Sequence, residues 1–233
     1  FCNKGKGDSQ MIGRNYRQRP EKFFPQPFKK RSTSGLQGSP RRKRYVERGR
    51  PARSFKTMVS STADILHGSG LKYMVTGGVA LPFYGRVRTT TDVDIIVEYS
   101  KEKLKRLVRE LNSAGFMIPW GWVEQSIKER SHFTVQDKLS PYRLDIKVLQ
   151  PGEDLGKTIE IELYGRRTHI AAPEELVVHK LQFGGDADIE DARSIIIRQG
   201  KKLDIKYMLR KAEELSVRDE LIKLLKEENV EFE

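Results

Sequence analysis

The sequence predicts an α+β protein: a small mixed β-sheet flanked by helices and followed by a C-terminal helical bundle. Three observations predict it. Short strand-like apolar runs recur at residues 73–76, 93–97, 132–136, 142–149 and 159–164. Stripes at helical spacing lie between them, as with Leu104, Leu107, Val108 and Leu111. Beyond residue 171 only helical patterns remain. The expected division is a basic tail over 1–56, a core over 57–171 and a helical region over 172–233.

The tail carries most of the charge. Of the net +12, residues 1–56 hold 17 Lys/Arg against 3 Asp/Glu, and the remaining residues hold 27 against 29. The tail is rich in Pro, Gly, Ser and Arg, without periodicity, which predicts disorder. Arg41-Arg42-Lys43-Arg44 is either a phosphate-contacting patch or a solvated charge run. Met58 is a candidate natural start, with the preceding residues upstream of it. The single cysteine, Cys2, excludes an internal disulfide, and a reducing cytoplasm is the expected location. No apolar run approaches the roughly 18 residues of a membrane span, and no signal peptide is expected.

A helix is expected over 55–66, stopped by Gly68 and Gly70. A short strand, 73–76, then breaks at Gly77-Gly78 into a helix over 79–84. Paired glycines permit positive φ and let an anion approach the backbone N–H groups. Asp92 and Asp94 stand two apart at the head of the next apolar run, so on a strand they share a face and could share a cation. Val93, Ile95 and Val97 turn to the packed side. A phosphate cradle beside paired carboxylates suits metal-dependent phosphoryl or nucleotidyl transfer. The plainer alternative is a buried β-α-β unit whose aspartates cap a loop.

Gly77-Gly78, Arg88, Thr89 to Thr91 and Asp92-Val93-Asp94 together resemble the signature of the nucleotidyltransferase superfamily related to DNA polymerase beta. Their spacing is most similar to the branch of AbiEii-type toxins and minimal nucleotidyltransferases. The resemblance implies a nucleotidyltransferase core fold, an NTP substrate and Mg²⁺, with Mn²⁺ an alternative ion. It also implies a phosphate-binding role for Gly77, Gly78, Arg88 and Thr91, and a third carboxylate on a neighbouring strand. Asp145 has that context, set in a run where Leu144, Ile146 and Val148 form the opposite face. Asp92, Asp94 and Asp145 would then be metal ligands and catalytic groups, Asp145 also the general base. The alternative for Asp145 is an edge-strand residue paired with Arg143 or Lys147.

Helix 101–114 is scaffold. Residues 116–122 form an irregular apolar stretch in which Trp120 and Trp122 either stack a nucleobase or fill core, and 125–130 are a short polar helix or loop. Residues 159–164 alternate as an edge strand with one wet face, and 167–171 as a further strand. Pro173 with Glu174 and Glu175 opens a helix. Lys180 sits on its apolar face, snorkelling or pointing into a site. Asp188 and Asp191 share a face of the next helix. By the resemblance, Lys180 contacts nucleotide phosphates, and Asp188 and Asp191 complete the site. Ala187 stands where that branch has an arginine. The alternative is an ordinary helical pair with solvated acids. Helices over 205–215 and 221–225 close the chain. The four histidines lack zinc-ligand spacing.

The function expected is transfer of a nucleoside monophosphate to a hydroxyl of an RNA 3′ end, a protein side chain or a small molecule, with no membrane; the resemblance implies a toxin–antitoxin setting, with a tRNA or a cognate toxin or antitoxin as partner. Two alternatives remain: a non-catalytic module of the same fold, or a nucleic-acid-binding protein acting through its tail.

Overall fold

The computed structural model describes residues 52–231; the basic tail up to residue 51, with Arg41 to Arg44, lies outside the described residues. The element order is α1 (Phe55–Ser69), β1 (Tyr73–Thr76), α2 (Gly77–Tyr84), β2 (Asp92–Val97), α3 (Lys101–Ser113), β3 (Phe116–Met117), α4 (Trp120–Glu129), β4 (His132–Asp137) and β5 (Arg143–Val148). Then come β6 (Thr158–Leu163), β7 (Arg166–Ala171), α5 (Pro173–Phe183), α6 (Asp186–Gln199), a 3-10 turn over Gly200–Lys202, α7 (Ile205–Glu214) and α8 (Arg218–Glu227). The protein is α+β, as the periodicities predict.

Seven strands form one mixed sheet in the order β3-β4-β5-β2-β1-β7-β6. The β2–β5 and β1–β7 pairs are parallel and the other four antiparallel. Val93 and Ile95 of β2, Leu144 and Ile146 of β5 and Val135 of β4 are almost fully buried. These are the residues alternation assigns to the packed face. One continuous apolar core includes them together with residues of α1, α3, α5, α6, α7 and α8, so it crosses the boundary drawn at residue 171.

Several elements differ from the sequence expectation. Strand β5 is central, between β4 and β2, and Asp145 is therefore not an edge residue. Residues 120–129 form one helix, because Pro119 precedes it as N-cap and Val123 and Ser126 supply its buried side. Trp122 of α4 is 52% exposed. Strand β6 is an edge strand as expected, but only Leu163 is buried and Ile159 stays exposed. Helix α2 begins at Gly77 itself, whose φ of 60° turns strand into helix without a Cβ clash.

Glu174 and Glu175 do more than suit a helix dipole. Both are buried. Glu174 Oε1 accepts the Asp204 N–H (2.9 Å), while Glu175 Oε1 accepts the Lys157 N–H (3.0 Å) and the Tyr207 hydroxyl. These bonds anchor α7 and the loop before β6 to the start of α5. On the next turn His179 Nε2 lies 3.6 Å from Glu175 Oε2. Burial first, then the charges of Lys147 and Lys211, push the His179 imidazole down to about 4. The unfolded chain takes its proton near pH 6.5 while the folded chain resists until about pH 4. Stability should fall as pH drops through that window and be insensitive to this group above it. Urea melts at pH 7 and pH 4.5 should differ by about 2–3 kcal/mol from this group. In His179→Gln that component should vanish; an unchanged slope would assign the loss to other groups.

Candidate active site

Parallel pairing of β2 with β5 sets Asp92 opposite Arg143 and Asp94 opposite Asp145. Neighbours in register present side chains on one face, so these four residues form a two-by-two patch of three carboxylates and one guanidinium. The rows extend sideways: Thr76 of β1 lies opposite Asp94, and Thr134 of β4 opposite Asp145.

Arg143 ties the patch together. Its Nη2 donates to Asp92 Oδ2 (2.8 Å) and its Nε to Asp145 Oδ2 (3.3 Å). The other oxygens are also held, with Thr90 Oγ1 donating to Asp92 Oδ1 (2.6 Å) and Thr134 Oγ1 to Asp145 Oδ1 (2.5 Å). Burial would raise the Asp92 carboxyl, but the Thr90 hydrogen bond and the Arg143 charge outweigh it and hold it below the usual range. Asp94 behaves oppositely. Burial, then the charges of Asp92 and Asp145, push it up, with Lys180 and the Gly78 N–H offsetting only part. Among the described residues no side chain hydrogen-bonds to Asp94.

The glycines serve this patch directly. A Cβ on Gly77 would stand 1.8 Å from Asp94 Oδ2, and one on Gly78 would stand 2.8 Å from the Thr90 side chain. A methyl group at either position would therefore displace a carboxylate or the hydroxyl that holds one. Helix α6 fixes the far end of α2: Arg198 Nη1 donates to the Gly85 carbonyl (2.8 Å) and Gln199 Nε2 to that of Tyr84 (2.9 Å).

Opposite the acids stands a cationic group built on Asp191, which is fully buried. Asp191 Oδ1 accepts from Arg86 Nε (2.7 Å), and Oδ2 from Arg88 Nε (3.2 Å) and Lys180 Nζ (3.1 Å). Lys180, itself buried, also pairs with Asp188 at 2.7 Å. Burial would raise the Asp191 carboxyl, but hydrogen bonds from Arg86 and Lys180 and the charges of Lys180 and Arg88 keep it low. Asp191 is thus the hub that positions three cations.

Of the residues singled out from sequence, Asp92, Asp94 and Asp145 meet on one face, and Gly77 and Gly78 adjoin them. Lys180, Arg88, Asp188 and Asp191 form the second group, near enough that the Lys180 charge acts on Asp94. Thr91 has an exposed side chain and contributes its carbonyl to the Arg143 N–H (3.3 Å); Thr90 is the threonine that grips an acid. Arg86 and Thr134 were missed, while Arg143, named from sequence only as an alternative partner of Asp145, is that partner and also reaches Asp92. Two-residue alternation puts Arg143 on the same face of its strand as Asp145, whereas Arg86, outside any strand, and Thr134 gave no signal before the tertiary contacts were known. Trp120 lines a cavity of about 250 Å³ with Tyr99, Leu104 and Ile127. Tyr99 follows the end of β2 opposite the acids, so this cavity is remote from them.

The three carboxylates offer the hard oxygens that Mg²⁺ takes, and glycine keeps the space beside Asp94 open. Among the described residues, however, no three acidic, histidine or cysteine side chains converge closely enough to hold an ion. The donor chemistry suits the metal; the spacing is that of a patch bridged by Arg143.

No protein-family model matches the chain, and no curated protein does. Solved structures do. An antigenic nucleotidyltransferase-like protein from Paracoccidioides brasiliensis is 21% identical, covering 73% of this chain and 91% of its own, with a TM-score of 0.45. The antibiotic-resistance factor ANT(2'')-Ia with adenylyl-2''-tobramycin is 17% identical over 71% and 98%, with a TM-score of 0.48. A lincosamide antibiotic adenylyltransferase bound to lincomycin is 16% identical over 63% and 99%, with a TM-score of 0.41. No described helix is long and apolar enough to cross a membrane.

Two substitutions should move stability in opposite directions without added metal. Asp94→Asn removes a charge that burial, and then the carboxylates of Asp92 and Asp145, disfavour, so at pH 7 the melting temperature should rise, by about 2–4 °C per kcal/mol relieved. That gain should fade as pH falls below the carboxylate range, where both states are protonated. Asp191→Asn strands three cations around a buried site and should cost about 3 kcal/mol in urea melts. A neutral effect of Asp191→Asn would remove it as the hub.

Proposed function

We propose that the chain is a metal-dependent nucleotidyltransferase. It moves a nucleoside monophosphate from an NTP to a hydroxyl on RNA or on a protein and releases pyrophosphate. The observation that carries this is the in-register Asp92, Asp94 and Asp145 patch facing Lys180, with Arg86 and Arg88 beyond it. Mg²⁺ held by the three carboxylates would offset triphosphate charge and make the acceptor hydroxyl more acidic. Lys180, Arg86 and Arg88 would bind the phosphates, with Lys180 closest to the departing pyrophosphate. The acceptor oxygen bonds to the α-phosphorus as the α–β bridging bond breaks. Its proton passes to Asp145, which must first give up Arg143. The toxin–antitoxin setting, with a tRNA or a partner protein as acceptor, is supported by sequence resemblance alone.

A second function has one observation in its favour. Asp92 and Asp145 are paired with Arg143, the partner that the sequence offered as the alternative for Asp145, and such neutralisation suits a non-catalytic binding module. Incubation with each α-labelled NTP, Mg²⁺ and either total RNA or lysate decides between them. Label should reach a macromolecule in step with pyrophosphate, and Asp92→Asn should lower the rate by about 10³-fold while the circular dichroism is unchanged. Shortened RNA without incorporated label would make the protein a nuclease, and no reaction with any NTP would favour the module. Removing residues 1–51, which spares Arg53 with its buried partner Asp137 and the Ser54 cap of α1, should leave transfer intact; if salt-sensitive RNA binding is all that disappears, the tail is the functional part.

A further inference from the structure

Arg143 sits where a cation would be needed most. Its guanidinium bridges Asp92 and Asp145 at 2.8 and 3.3 Å on a face that otherwise gathers three like charges. On adjacent strands about 4.8 Å apart, such carboxylates repel unless something positive stands between them. The guanidinium is peripheral as well as bridging. Its side chain is 44% exposed, and its backbone is held separately through the Thr91 carbonyl, so it can leave without disturbing the sheet. Arg86 and Arg88 differ, being committed to buried Asp191.

We propose that Arg143 is the resident counter-ion of the acid patch, which a divalent cation must displace to bind. This rests on the metal-dependent reading above. While it bridges, Arg143 keeps Asp92 Oδ2 and Asp145 Oδ2 on its own nitrogens. Displaced, it swings to the exposed rim, and all three carboxylates become available. Arg143 is a positioning residue, acting through the acids.

Mn²⁺ binding to the full chain without nucleotide, followed by electron paramagnetic resonance and calorimetry, tests this alongside metal-free thermal melts. Arg143→Gln should bind Mn²⁺ about tenfold more tightly than the wild type, since a competing unit charge is gone, and should melt lower without metal. Arg143→Lys keeps the charge and should stay near the wild type in both. A lower melting temperature with Mn²⁺ affinity unchanged or weakened would make Arg143 purely structural and overturn the proposal while leaving metal dependence intact. Binding by neither protein would remove the metal reading and the proposal together.

Discussion

The site depends on the parallel pairing of β2 with β5. That register sets Asp94 beside Asp145 and Asp92 beside Arg143, and a one-residue slip would turn Asp145 and Arg143 to the core side and bring Leu144 and Ile146 out. The packed face makes such a slip costly: Val93, Ile95, Leu144 and Ile146 are each at most 1% exposed. Each would forfeit on the order of 1.5–3 kcal/mol if turned to water. Apolar burial on one face therefore fixes an electrostatic conflict on the other. The conflict persists because its energy is smaller than the burial that enforces it.

Helices α2 and α6 build on that register. The abrupt turn at Gly77 lets α2 begin against Asp94, and α6 grips the opposite end of α2 through Arg198 and Gln199. Because α6 also carries Asp191, the same helix that braces α2 sets the positions of Arg86, Arg88 and Lys180. A shift of α6 would move the glycine turn and the cations together.

Most of the strands and the long helices were legible because each has one buried side and a clean period. Strand β2 announced itself through Val93, Ile95 and Val97, and α3 through its four-residue stripe. The exceptions have physical reasons. Helix α4 was hidden by Pro119 and Gly121, residues that usually break helices but are tolerated at a first turn. The centrality of β5 was not readable, because strand order is decided by non-local pairing. In the site, same-side relations along one strand or helix were legible: Asp92 with Asp94, and Asp188 with Asp191. Relations between elements were not. Nothing local says that Arg86 reaches α6 or that Thr134 meets Asp145.

The outcome is a site divided by charge, each half carrying its own counter-ion. Two of the three acids, Asp92 and Asp145, hold Arg143, and three cations hold Asp191 with Asp188 beside it. The two counter-ions differ in burial, and so in what they can do. Asp191 is enclosed and holds the buried Lys180, so losing it leaves a charge that water scarcely reaches, and it stays. Arg143 is nearly half exposed, so water can take over its solvation, and exchanging it for another cation is inexpensive. A ligand that brings cations to the acids and anionic oxygens to the lysine and arginines would satisfy both halves at once, and an NTP with its divalent ion has that distribution of charge. The cationic half is thereby a fixed frame, and the acidic half is the side free to change its partner.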